Sequence, residues 1–492
     1  MLQKYSGNMG KNLLRVDTSD KMSDLTVDGA RRKSRKYTHD VDSGYAWIIL
    51  AGCFVMYVFV VGSLKAYGVL YTEMVEYYSS GSGNTAWIGS IALILLFGLG
   101  PLSNLLCKIY SFRRITFIGG IFLALGYCLS GFVTRMEMMY LTFLSTGIGY
   151  GLVFAPSSTI ISFYFEKRRA LANGITVSGS GLGAVALPFL YKFLIEQYGI
   201  QGMFWISGAI FANICVAACI FRQPSEFSIE TSERPHPLRT SNTRNDCDSE
   251  ENQMSIDSDV NRTAKKLEKI RCKDLDLKFS LFRRPLFTLY VLSFMCCAFG
   301  FAASIVLIPA NVKALGYDDT HVALSVTILG SVEVVARILM GWVADLNIIQ
   351  RKYMYAGSMF IGGIASVLAP CFGHFNFMAV YAAIVATFPG SYMSLVSVLL
   401  IEVVGLENFS PAFGLLSLSL AVANIPSHPA VGWLYDIYGN WGPSFLLTGC
   451  VYISAGVIIM LEPIVVRVFN IKTDNKNSNL QDNQQMNQDQ YM

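Results

Sequence analysis

Long apolar runs separated by short polar turns recur along the chain. They fall at 46–71, 86–107, 114–134, 138–162, 170–195 and 201–221, and, after a polar break, at 286–313, 320–345, 352–373, 375–401, 410–435 and 442–466. Each is about the length that carries a helix across a bilayer, roughly 20 residues. Helices satisfy their own backbone hydrogen bonds in lipid, so the pattern predicts an all-α membrane protein of about twelve transmembrane helices in two six-helix halves. The polar break, 222–283, contains SERPHPLRTSNTRNDCDSEENQMSIDSDVNRTAKK, which is too polar and too mixed in charge to bury a core. The expected organisation is a tail (1–45), a first bundle (46–221), a central loop (222–283), a second bundle (284–467) and an Asn/Gln-rich tail (468–492). Both tails and the loop read as disordered.

Composition agrees with a membrane protein. Hydrophobic residues make up 53% of the chain and charged residues only 15%, against about 25% charged in soluble domains. The net charge of +4 is small and no basic-aromatic patch accompanies it, which argues against nucleic acid as a partner. The 11 cysteines show neither metal-ligand spacing nor a disulfide framework, and those in the apolar runs (Cys53, Cys128, Cys215, Cys296, Cys297) read as small buried side chains. No nucleotide loop, catalytic triad or cofactor motif is visible. GSGLG at Gly179 follows no strand and reads as close helix packing. A basic cluster at Arg31–Lys36 precedes the first long run, which reads as a retained anchor and not a cleaved leader.

Basic residues set the expected orientation. Lys108, Arg113 and Arg114 follow helix 2, Lys167, Arg168 and Arg169 follow helix 4, and Arg351 and Lys352 follow helix 8. The alternate turns are poor in bases, so both termini and the central loop are expected on the cytoplasmic side. The turn after helix 10, with Glu402 and Glu407, lends no support. Two short motifs repeat. GPLSN at Gly100 matches GWVAD at Gly341, placing Asn104 and Asp345 241 residues apart, and YGIQG at Tyr198 matches YGNWG at Tyr438, 240 apart. A duplicated six-helix unit of this kind places a substrate site at the interface of the halves, near mid-membrane.

Three ionisable residues interrupt the apolar pattern. In SVEVVARILMGWVADL of helix 8, Gly330, Glu333, Arg337 and Gly341 step by three and four and share one face. A charge at this depth costs about 2.5–3.5 kcal/mol on insertion scales, and such groups face a bundle interior or a wet cavity. One reading is a salt bridge that locks helix 8; the other, favoured by the space beside the flanking glycines, is a binding site. Lys65, in VVGSLKAYGVL near the far end of helix 1, either snorkels to the interface or joins that site. Two cations and an acid suit a small anion carried with a proton. Arg grips a carboxylate bidentately without titrating, whereas desolvated Lys and Glu change their proton affinity. His428, between Pro426 and Pro429, reads as a hydrogen-bonded structural residue in a kinked or broken helix 11. Pro156 and Pro188 could bend helices 4 and 5, and Pro309 marks the end of helix 7.

At these residues the chain resembles the monocarboxylate transporters, solute carrier family 16 of the major facilitator superfamily, over 46–221 and 284–466. DSGYAW (Asp42–Trp47), YFEKRRALANGITVSGSGLG (Tyr164–Gly183) and EVVARILMG (Glu333–Gly341) match the family's motifs around helices 1, 5 and 8, with Tyr45, Ala46 and Glu333 as departures. Glu333 stands where the best-known members carry Asp. The resemblance implies a major facilitator fold and a plasma-membrane transporter of lactate, pyruvate or ketone-body type, working by proton symport and alternating access. It implies Arg337 and Lys65 as substrate-binding residues and Glu333 and Lys65 as proton-coupling residues. It places conformational gating at Gly341, Asp345, Arg351, Lys167 and Arg168; with Asn104 in the equivalent place, the salt bridge of the first half is lost. Several members of the family travel with a single-span immunoglobulin-like glycoprotein. Relatives that carry aromatic amino acids, iodothyronines, creatine or carnitine without protons make a facilitative transporter the alternative, and a membrane sensor signalling through loop and tail is a third class. Neither an enzymatic activity nor a cofactor is expected.

Overall fold

The computed structural model describes residues 41–78, 82–224 and 278–469. The basic cluster at 31–36, and the expected disorder of most of the tails and the central loop, lie outside these residues. Ten helices are long and apolar enough to cross a bilayer. One of them, Arg169–Ile220, has 52 residues and at 1.5 Å per residue would run for about 78 Å, far beyond a hydrocarbon core of about 30 Å. It is divided at Gly199, whose φ of 69° and ψ of 174° are not helical. The pair Trp87–Gly98 and Gly100–Ile109, bent by 46°, forms one more crossing.

The described residues thus hold twelve spanning elements. The first half comprises α1 (Gly44–Lys65, continued as Tyr67–Tyr77), α2 (Ser82–Gly98 and Gly100–Ile109), α3 (Phe112–Ser130), α4 (Met136–Tyr164), α5 (169–198) and α6 (200–211 and Asn213–Ile220). The second comprises α7 (Pro285–Ala314), α8 (Asp319–Asp345), α9 (Arg351–Leu368), α10 (Phe375–Thr387 and Tyr392–Val404), α11 (Phe409–Asn424 and Ser427–Tyr438) and α12 (Gly442–Met460).

Two expectations need correction. The first run does not end near 71: α1 resumes after Ala66 and continues to Tyr77, so Lys65 lies well inside it. Pro309 does not end α7, which runs five residues further to Ala314. Proline removes one hydrogen bond, and packing against neighbouring helices carries the helix past it. The predicted break in α11 is present, between Asn424 and Ser427. An unpredicted one divides α10 at Pro389–Ser391.

The repeated motifs mark equivalent structure. Gly199 and Gly439 both take positive φ, 69° and 68°, at the turns between α5 and α6 and between α11 and α12. Only glycine enters that region without steric cost. Ser63 in α1 and Ser304 in α7, 241 apart, each bond a buried tyrosine hydroxyl, Tyr150 at 2.6 Å and Tyr452 at 3.2 Å.

Glycines set the helix spacing, as the reading of GSGLG predicted. A methyl group on Gly179 would fall 2.5 Å from the Phe54 carbonyl oxygen. One on Gly183 would collide with the Val58 carbonyl and lie 2.7 Å from the Cα of Gly62. Backbones this close leave no room for a side chain. We expect Gly183→Val to destabilise the fold by about 1–3 kcal/mol, seen as a lower melting temperature of the purified protein; an unchanged melting temperature would contradict this α1–α5 crossing.

The halves meet along two equivalent crossings. In α5–α8, Gly174 lies against the Arg337 carbonyl and Gly341 against Ala170. In α2–α11, a Cβ on Gly100 would fall 2.7 Å from that of Ser417, and one on Gly414 would fall 2.7 Å from the Cα of Pro101. Phe154–Phe413 and Phe163–Phe409 ring contacts reinforce the seam. These contacts gather toward the end that carries the turns after α2, α4, α8 and α10, so the halves are closed there.

Candidate functional site

Glu333, Arg337 and Lys65 come together in one cluster. Glu333 precedes the end of α8 by twelve residues and Lys65 precedes the end of α1 by the same number, about 18 Å of helix in each case. The Lys65 ammonium lies 2.6 and 2.7 Å from the two carboxylate oxygens of Glu333. Arg337, one turn along α8, contacts the same carboxylate through Nη2. Lys65 therefore does not snorkel to the interface. Glu333 and Arg337 are 1% and 3% exposed, while the Lys65 side chain keeps 18%. Lys65 is the most exposed member of the cluster.

The guanidinium is extensively engaged. Its Nε donates to the Gly390 carbonyl at 3.0 Å, and Nη1 donates to the Val177 carbonyl at 2.8 Å and the Ser180 hydroxyl at 2.5 Å. The first of these acceptors, the Gly390 carbonyl, lies in the break of α10 at Pro389–Ser391. Aromatic groups complete the surroundings. The Lys65 ammonium stands 5.7 Å from the centre of the Phe301 ring, which meets Tyr392 edge-on at 6.3 Å. Tyr57 hydrogen-bonds Ser158 at 2.5 Å.

The cluster joins the two halves. Lys65, Val177 and Ser180 belong to the first, and Glu333, Arg337 and Gly390 to the second. With all three side chains ionised it carries one net positive charge. A buried acid between two cations satisfies much of its desolvation cost, but removing one partner strands the rest. The fold itself does not demand these charges. At the repeat distance of 241 residues, Glu333, Arg337 and Lys65 correspond to Ala92, Leu96 and Val306. The same helices in the other half are built with apolar residues at those positions.

The expected gating residues are placed unequally. Gly341 presses against Ala170 and Leu171 of α5. Asp345 accepts hydrogen bonds from the backbone N–H groups of Ala170 (3.1 Å) and Leu171 (2.8 Å), so it caps the start of α5 from the opposite half. Arg351 pairs with Glu402 at 2.6 Å and approaches Asp345 at 4.0 Å. The side chains of Lys167 and Arg168 are exposed; the Lys167 backbone N–H donates to Asp42 at 3.1 Å. Asp345 of the second half thus meets the first half at the backbone N–H groups that open α5. Asn104 has no charge to form a salt bridge, yet it spans the halves by donating to the Ser410 carbonyl at 2.9 Å. The first two family motifs also touch, through the Asp42–Lys167 bond and an edge-on Trp47–Phe165 contact at 5.3 Å.

Ser180, Val177 and Gly390 were not expected at the site. Pro389-Gly390 within an apolar run was a legible sign of a break. Ser180 lay inside the stretch read only as packing, and a backbone carbonyl such as that of Val177 leaves no mark in a sequence. His428 lies in the first turn after the break in α11 and is exposed.

Comparison with known proteins agrees with this architecture. The model of the Major Facilitator Superfamily matches residues 53–345 and 290–484. Monocarboxylate transporter 12 of Xenopus laevis is 29% identical over 431 residues, covering 87% of this chain and 90% of its own. Monocarboxylate transporter 4 of Gallus gallus is 29% identical, covering 85% and 83%, and monocarboxylate transporter 2 of Mus musculus is 28% identical, covering 85% and 84%. Among solved structures, the proton:xylose symporter XylE aligns with a TM-score of 0.62 at 15% identity, over 85% of this chain and 96% of its own. The E. coli fucose:proton symporter FucP aligns with a TM-score of 0.58 at 12% identity, over 85% and 99%. At such identities these two speak for the fold alone. Twelve spans in two repeated halves, with matches this long, make the chain a member of the major facilitator superfamily, grouped there with the monocarboxylate transporters.

Proposed function

We propose that the protein is a plasma-membrane, proton-coupled transporter of small monocarboxylates of the lactate, pyruvate or ketone-body type, with both termini in the cytoplasm. The observation that carries the reading is the buried cluster of two cations and one acid that bridges the halves. In that orientation the closed end faces the cytoplasm and the site is approached from outside. A carboxylate arriving from outside meets Lys65, the exposed member, and competes with Glu333 for it. A proton on Glu333 removes the competing charge, so Lys65 and Arg337 turn to the cargo. The Lys65–Glu333 bond between halves is then replaced by bonds to a solute that can leave. The loaded halves rock, Asp345 releases α5, and cargo and proton escape on the other side. The names of the relatives support the cargo class.

The test is uptake of labelled lactate into proteoliposomes carrying the purified protein. Acidifying the entry side is expected to raise the initial rate, and a protonophore to abolish the rise. Lactate uptake indifferent to the gradient would remove proton coupling and leave facilitated transport. No uptake of any monocarboxylate would remove the cargo class.

A further inference from the structure

The hydrogen bonds of Arg337 divide between the halves in an informative way. A guanidinium has five N–H donors. Nε and Nη2 bind partners of the second half, Gly390 and Glu333. Nη1 binds only partners carried by α5 of the first half, the Val177 carbonyl and the Ser180 hydroxyl. Ser180 is 1% exposed and lies on the closed α5–α8 crossing, next to Gly181, which packs against Gly330. A carboxylate held bidentately across the end of a guanidinium needs an N–H from each of Nη1 and Nη2. In the closed arrangement the Nη1 donors are occupied.

We propose that Ser180 is a positioning residue of the transport cycle. Together with the Val177 carbonyl it parks the Nη1 end of Arg337 while the α5–α8 seam is shut, and it gives that end up to the cargo carboxylate as α5 leaves α8. This rests on the reading of Arg337 as the carboxylate-binding residue. Cargo and Ser180 compete for one set of donors, so binding the solute weakens the seam and opening the seam strengthens binding. Linkage makes the two effects equal in size. The coupling thus has a direction: the cargo itself loosens the closed end.

Two measurements on the full chain test this. Hydrogen–deuterium exchange in nanodiscs over 166–176 reports the seam, because the N–H groups of Ala170 and Leu171 are protected by Asp345 on the opposite half. Without solute, Ser180→Ala is expected to speed exchange there by about tenfold, the effect of losing one hydrogen bond to a charged group. Ser180→Thr, which keeps the hydroxyl, should exchange like the unaltered protein. In proteoliposomes, Ser180→Ala should lower the KM for L-lactate several-fold without raising the maximal rate, since a competitor for Arg337 has been removed. A merely structural defect would raise KM or reduce the rate at constant KM. Unchanged exchange, or an increased KM, in a Ser180→Ala protein of normal melting temperature would overturn the proposal. If lactate speeds exchange in the unaltered protein while Ser180→Ala alters nothing, parking fails and Arg337 stands as the cargo ligand. If lactate leaves exchange unaltered and Arg337→Lys leaves KM unaltered, the reading of Arg337 fails, and the parking proposal with it.

Discussion

Arg337→Ala is expected to lower lactate uptake by at least about a hundredfold and to destabilise the protein by about 3–5 kcal/mol, the usual cost of breaking a buried ion pair by removing one partner. The substitution leaves the carbonyls of Val177 and Gly390 without their bonds from Arg337 and Glu333 balanced by Lys65 alone. Because folding and transport suffer together, Arg337→Lys separates them. Lysine keeps the charge but loses the planar fork that can engage several acceptors at once. We expect Arg337→Lys to recover most of the melting temperature and little of the uptake. If the alanine protein folded and carried lactate normally, the cluster would be incidental to transport.

Glu333→Ala should have an effect of similar size for the opposite reason. It leaves two cations in a buried site with no acid between them, at a cost again of about 3–5 kcal/mol. Removing Lys65 at the same time restores the net charge of the site. The double variant Lys65→Met with Glu333→Gln is therefore expected to recover melting temperature relative to Glu333→Ala. It should still fail in proton-driven uptake, because neither remaining group at positions 65 and 333 can gain or lose the proton. Stability and transport measured on the same preparations distinguish the two outcomes. Proton-stimulated uptake by the double variant would show that the proton travels by another route.

Much of the architecture is legible in the linear chain because lipid imposes a coarse rule. A spanning segment must be long, apolar and helical, so the runs could be counted by eye and their register was good to a few residues at most boundaries. The repeats were readable for a related reason. Positive φ and close helix crossings both favour glycine, as Gly199 and Gly439 illustrate for the first and Gly100 and Gly341 for the second. Where the rule is weaker, the reading slipped. Packing carries α7 past Pro309, and the break after Lys65 has no proline to announce it.

The candidate site divides along the same line. That Glu333, Arg337 and Lys65 are costly where they stand follows from their chemistry and their apolar neighbours, so the sequence by itself nominated them. That Lys65 reaches Glu333 across 268 positions, that Arg337 spends its donors on Ser180, Val177 and Gly390, and that Asp345 caps a helix of the opposite half were settled only by the tertiary structure. Local sequence sets the cost of burying a charge. Which distant group offsets that cost depends on how two separately encoded helices cross, and the crossing is a property of the packed bundle.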